Sequence, residues 1–332
     1  MLKWSQMSWN ARVGFIGMVF FVAFAYLGPL LSPYQPEQVL GVTWEPSSER
    51  MLLGADSLGR DLLLRLMVGT QLTIELAGAA TILSFTIGVL LGFTAAVIRG
   101  WIDQALSRTV DLLMSIPTLI FALVVLSVLP RTAIVLICVT ALLDSTRVFR
   151  LSRTVAIDIA VQDFVEAARL RGEKTRWIVT REILPNALSP LVAEFGLRFA
   201  FAMLFLSSLS FLGLGIQPPE ADLGRMIRDN REGIVYGIPA ALYPGAAIAL
   251  LALSVTFRTE VAVAFAAVTV AVYAAIASFA LPADDGQVLV TRLLILAGVA
   301  ICGNMYWRIE RDRRHAAAKV MEELNPVVRE EV

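Results

Sequence analysis

With 332 residues, 57% of them hydrophobic and only 17% charged, and a mean hydropathy of +0.72, the chain is too apolar for a soluble domain and reads as a multi-span membrane protein. The 28 basic and 28 acidic residues cancel to a net charge of zero, so the total selects no partner class and nothing in it points to nucleic acid. A membrane-crossing helix needs about 20 mostly apolar residues to cover roughly 30 Å of hydrocarbon. Eight windows approach that, at 13–31, 71–98, 109–129, 131–146, 188–212, 238–257, 261–281 and 287–307, the fourth being short and running into Asp144 and Arg147. The expected fold is all-α, a polytopic membrane helix bundle.

Residues 1–31 form a short N-terminal segment and the first span, which continues to Gly28-Pro29 and so reads as uncleaved rather than as a signal peptide. Residues 32–70 are expected to be an external loop. Its second half places Leu58, Leu62, Leu63, Leu66 and Met67 at helical spacing, which predicts a helix lying on the membrane surface, capped by Asp56 or Ser57. The second span carries Gly78, Gly88 and Gly92, small enough to admit a close neighbour. Trp101 suits a membrane interface. Ser115-Ile116-Pro117 interrupts the third span, and lipid tolerates such a break only where protein or water satisfies the freed carbonyl, so a bundle interior or cavity lining is predicted.

Residues 71–257 make up the bundle core, with the internal loop 147–186 inside it, and 258–332 hold a further apolar hairpin and a charged tail. Eight basic side chains fall between Arg147 and Arg181. Together with Lys3, Arg12, Arg99, Arg108, Arg258 and the basic tail from Arg308, they place both termini on the cytoplasmic side. The loop predicts two short helices meeting at Gly172, the second closed by Pro185. Glu194 and Arg198 lie four residues apart within the fifth span, on one helix face, either as a self-neutralising structural pair or as lining of a path. Cys138 and Cys302 both fall in apolar windows and read as small fillers.

Catalytic chemistry has no constituents. His315 is the only histidine, which leaves no His-based metal cluster or relay, and no lysine follows the glycine of a phosphate-binding loop. The chain is therefore read as no enzyme, binding no cofactor or metal of its own.

Four motifs carry a family resemblance. Glu166-Ala167-Ala168, then Gly172, then Leu184-Pro185, set in an internal basic loop, resemble the cytoplasmic coupling loop of ATP-binding-cassette importer permeases; taken from the residues alone, the stretch is also a basic loop held inside by its charge. Gly54-Ala55-Asp56-Ser57-Leu58-Gly59-Arg60-Asp61 resembles the external signature of the dipeptide, oligopeptide and nickel importer permeases, in particular of their C-type subunit. Phe211-Leu212-Gly213-Leu214-Gly215 is similar to the segment after their penultimate family span, and Arg147-Val148-Phe149-Arg150 to the arginine pair before the coupling loop.

The resemblance covers about 12–257 and implies six family spans, with 261–307 as an additional two-span hairpin. It further implies a heterodimer with a homologous permease, two cytoplasmic ATPase subunits that bind ATP and Mg, and an external solute-binding protein. The chain would lie in a bacterial or archaeal plasma (inner) membrane, surrounded by lipid, and carry half of a pathway for peptides or a related small solute such as nickel. It departs from the family pattern at Glu182, where a His is usual, and at Leu206, where a Glu is usual. An ion-coupled secondary transporter is the alternative, although no internal repeat is visible.

Overall fold

A computed structural model describes residues 9–256. The windows 261–281 and 287–307, Cys302 and the tail with His315 lie outside the described residues. The contacts divide the chain into two units, Met1–Gly233 with Pro239–Phe257, and Ile234–Ile238 with Arg258–Val332. Of the second unit the described part is a tight turn in which Gly237, at φ +72°, donates its N–H to the Ile234 carbonyl. Everything below concerns the first unit.

Its regular elements are helical. The longer ones, in chain order, are α1 (Trp9–Tyr26), α2 (Leu62–Ile98), α3 (Gly100–Ser115), α4 (Thr118–Val128), α5 (Ala133–Ala160), α6 (Asp163–Leu170), α7 (Thr175–Phe211), α8 (Leu223–Asn230) and α9 (Leu242–Thr256). Two of these, α2 and α7, are each long and apolar enough to cross a membrane, and α3 with α4 makes a third such stretch bent by 85° at the Ser115-Ile116-Pro117 break. Large apolar side chains such as Phe20, Ile82, Leu112, Val124 and Val192 point outward from these helices, as expected where the solvent is lipid.

The core runs along α2 and α5, the most extensive helix pair. Gly88 and Gly92 explain their closeness: a Cβ built on Gly88 would lie 2.6 Å from Val148 Cβ, and one on Gly92 would lie 2.8 Å from the Phe149 carbonyl oxygen. Ser152 of α5 uses the space to donate its hydroxyl to the Gly88 carbonyl at 3.0 Å. Gly78 has no such role, since a Cβ there would meet only the Phe199 ring at 3.9 Å.

Four features differ from the sequence expectation. The surface helix predicted over 58–67 is not a separate element; α2 starts at Leu62 and runs unbroken to Ile98, burying Leu62, Leu64 and Leu66, so the apolar spacing marks the packed start of a span. Its cap is Asp61, whose carboxylate accepts from Leu63 N–H at 3.1 Å, and not Asp56 or Ser57. Pro185 does not close the second loop helix. The chain passes from Thr175–Ile178 through a π-turn at Val179–Ile183 into Leu184–Phe211, and the Asn186 amide donates to the Glu182 carbonyl at 2.6 Å. A widened turn gives the proline ring the room that a regular turn denies it. Cys138 likewise is exposed on α5 and fills no core position.

Candidate functional site

At one end of the bundle, Val165 and Ala168 of α6 are buried against Phe93 and Ala96 of α2, Ala156 and Ala160 of α5, and Ile178, Ile183, Ala187 and Leu191 of α7. That apolar seat fixes the helix, while Glu166, Ala167 and Arg169 face outward and Leu170 is 83% exposed. The two alanines of the motif therefore differ: Ala167 is exposed and Ala168 is turned inward. Among the described residues neither Glu166 nor Arg169 forms an ion pair. The end of α6 is closed by two backbone bonds, Gly172 N–H to Arg169 O and Glu173 N–H to Ala168 O, with Gly172 at φ +81°. This is the Schellman arrangement, which needs a residue without a Cβ penalty at the left-handed position. Leu184 and Pro185 open the main part of α7, Leu184 half-buried against the seat and Pro185 exposed.

At the opposite end of α2 and α7, the Gly54–Asp61 motif folds into a loop centred on Asp56 that caps the bundle, and the Phe211–Gly215 motif follows α7. Asp56, 1% exposed, accepts from the N–H groups of Leu58 (2.8 Å) and Arg60 (3.0 Å) and pairs with the Arg60 guanidinium at 2.7 Å and with Arg65 at 3.3 Å. Gly54 and Gly59, both at φ +77°, make the two sharp bends around it. Asn230 at the end of α8 then receives the Ser57 N–H at 2.9 Å. On the other side, Gly213 sits at φ +89° against the Arg228 guanidinium, and Gly215 leaves room for the Ser210 side chain. Ser210 donates to Asp222, the residue that caps α8 by accepting from Arg225 N–H at 2.8 Å. Phe211 is exposed at the end of α7. Burial pushes the Asp222 carboxyl above its ordinary 3.8, against the pull of its hydrogen bonds. Two motifs far apart in sequence thus clamp one short helix.

Between these ends lies the ionisable cluster. Arg198 donates to Glu194 at 2.6 Å, so the predicted pair forms, but it also reaches Asp144 of α5 at 3.4 Å and lies over the Phe201 ring at 5.1 Å. Arg147 pairs with the same Asp144 at 3.6 Å and donates to Thr118 at 3.1 Å, at the start of α4 just past the helix break. Three of the four charges, Asp144, Arg147 and Arg198, line a cavity of about 330 Å³ together with Thr118, Leu119, Thr140 and Phe205, while Glu194 holds Arg198 from outside the lining. The break in the third window therefore borders a cavity, as its proline predicted. Arg150, the second arginine of its motif, bonds Asp111 at 2.5 Å, and Arg153 binds Asp103 through two bonds of 2.5 and 2.6 Å, tying α5 to α3. Asp103, Asp111, Arg153 and Asp144 carry no motif, and only their intramembrane or near-membrane charge could have marked them.

Residues 88–281 match the family described as binding-protein-dependent transport system inner membrane component. The chain belongs to this family. Among relatives of this inner-membrane component, the di/tripeptide transport system permease protein of Pseudomonas aeruginosa is 30% identical over 266 residues, 77% of this chain and 88% of the relative. A dipeptide transport system permease protein of Alkalihalophilus pseudofirmus is 31% identical over 245 residues (73% and 80%), and a glutathione transport system permease protein of Pectobacterium atrosepticum 30% identical over 236 (70% and 78%). The inner-membrane component is a transport permease and not a catalytic enzyme, and the ion-coupled carrier is set aside. The family match also runs past Phe257, where the motif resemblance ends, and takes in the window 261–281.

Proposed function

We propose that this chain is a permease subunit of an ATP-binding-cassette importer for short peptides, supplying half of the translocation pathway and one coupling helix. A homologous permease completes the pathway, two ATPase subunits binding ATP and Mg receive α6 on the cytoplasmic side, and an external solute-binding protein delivers the solute to the side of the Asp56 cap. Six spans are assigned to α1, α2, the bent pair α3 and α4, α5, α7 and α9, with both termini inside. The names of the relatives favour a peptide over nickel.

The observation that carries the coupling role is the two-faced geometry of α6. Its Val165 and Ala168 face is locked to three long helices while its Glu166 and Ala167 face is open, so force on the open face passes to α2, α5 and α7 together. Closure of the ATPases on ATP would draw α6 and rock the spans between inward and outward access. Ala167→Cys tests this. With the ATPase subunits co-expressed, it should cross-link to one of them, with a yield that changes on adding ATP. Efficient cross-linking of Ala167→Cys to no ATPase, while the subunits co-purify, would remove α6 from the coupling path.

A further inference from the structure

The cavity between α4, α5 and α7 contains two polar groups that the bundle itself does not use. Asp144 is 6% exposed and Thr140 is 2% exposed, and both line the cavity one turn apart on α5. The Asp144 carboxylate spends Oδ1 on Arg147 and Arg198 and leaves Oδ2 without a hydrogen-bond partner; the Thr140 hydroxyl has none either. Leaving such groups unpaired costs free energy, so their retention at one wall of a cavity marks them for a ligand. The opposite sign is present beside them. Arg147, with 39% of its side chain exposed, commits one nitrogen to Thr118 and one to Asp144, and a guanidinium has five N–H donors.

Charge decides the ligand class. Asp144, Arg147 and Arg198 line the cavity and Glu194, outside the lining, neutralises Arg198, so a lone anion would meet Asp144, and a lone divalent cation would meet Arg147 and Arg198. A zwitterion meets neither penalty. We propose that Thr140, Asp144 and Arg147 form a transit subsite for the backbone ends of a short peptide, with the α-ammonium on Asp144 Oδ2 and the Thr140 hydroxyl and the α-carboxylate on Arg147. Arg198 is a positioning residue: held by Glu194 and stacked on Phe201, it fixes Asp144 through Oδ1 and leaves Oδ2 uncommitted. A volume of about 330 Å³ lies at the small end of ligand cavities and suits a dipeptide.

This subsite rests on the importer reading, and the experiment separates the two. The full complex is reconstituted in liposomes with its binding protein, and ATP-driven uptake of dialanine is measured for wild type, Thr140→Val, Asp144→Asn and Arg147→Gln. The decisive variant is Thr140→Val. It removes an unpartnered buried hydroxyl at nearly constant shape, so it should leave melting temperature unchanged or raised. The subsite predicts that uptake nonetheless falls about tenfold, the scale of one hydrogen bond to a charged group, with Asp144→Asn and Arg147→Gln lower still and dialanine binding to the solute-binding protein unaltered. Thr140→Val transporting at the wild-type rate would overturn the subsite while leaving the importer intact. A wild-type complex that drives no dialanine uptake would instead overturn the peptide reading on which the subsite depends.

Discussion

Replacing Asp56 by Ala removes the centre of the cap, and the structure sets the size of the effect. The carboxylate is buried and neutralises Arg60 and Arg65, whose side chains are only 11% and 7% exposed. It also satisfies two backbone N–H groups in a turn held by left-handed glycines. Truncation leaves the Arg60 guanidinium and two backbone donors without a partner and Arg65 with only its bond to the Pro36 carbonyl at 3.4 Å, and stranding a buried charge costs about 3–5 kcal/mol. The hydrogen bonds are part of the same loss and are not added to it. An effect of that size lowers the melting temperature on the order of 10 °C. The check is the thermal stability of the purified protein in detergent, followed by size-exclusion chromatography after stepwise heating, beside Asp56→Asn, which keeps the acceptor for Leu58 and Arg60 N–H. The expected order is wild type, then Asn, then Ala. An Ala variant within about 2 °C of wild type would refute the claim that Asp56 organises the cap.

Other expectations follow from single contacts. Gly172→Val forces a β-branched residue to φ +81°, so although a Cβ there would meet nothing within 4 Å, α6 should lose its stop and uptake per ATP hydrolysed should drop several-fold with normal membrane yield; unchanged coupling would contradict the Schellman account. Arg198→Ala should lower folded yield more than Glu194→Ala, because Arg198 neutralises Glu194 and Asp144 together, whereas Arg198 without Glu194 keeps Asp144; equal losses would return the site to an isolated pair. For Asp222, a folded pKa raised above the unfolded 3.8 means that the folded state holds the proton more tightly. Stability from this group is then fully present below about pH 3.8 and lost as pH rises through the folded value. Asp222→Asn should flatten that decline, and a parallel pH profile in the two proteins would contradict the assignment.

The helices were legible because apolar runs long enough to cross lipid leave a plain mark in the sequence. The turn that ends α6 was legible for a similar reason: Gly172 is a backbone requirement, and a backbone requirement leaves a residue-level mark. What escaped was set by tertiary contact. The apolar spacing at Leu58–Met67 cannot distinguish lipid from protein as the buried surface, so the start of α2 was read as an interfacial helix. Pro185 signals a helix end until a π-turn and the Asn186 amide remove its penalty, and Ala168 looks identical to Ala167 until α2, α5 and α7 bury one and leave the other. The Glu194 and Arg198 spacing gave their pairing, but Asp144, which turns the pair into a cluster around a cavity, lies 54 residues away from Arg198 in sequence.

Transport is the most direct test. The chain, co-expressed with a homologous permease and two ATPase subunits and reconstituted in liposomes, should accumulate labelled dipeptide only when ATP is on the α6 side and the solute-binding protein on the side of the Asp56 cap. Accumulation driven by a proton or sodium gradient without ATP, or ATP-driven accumulation with the binding protein supplied only on the α6 side, would contradict it.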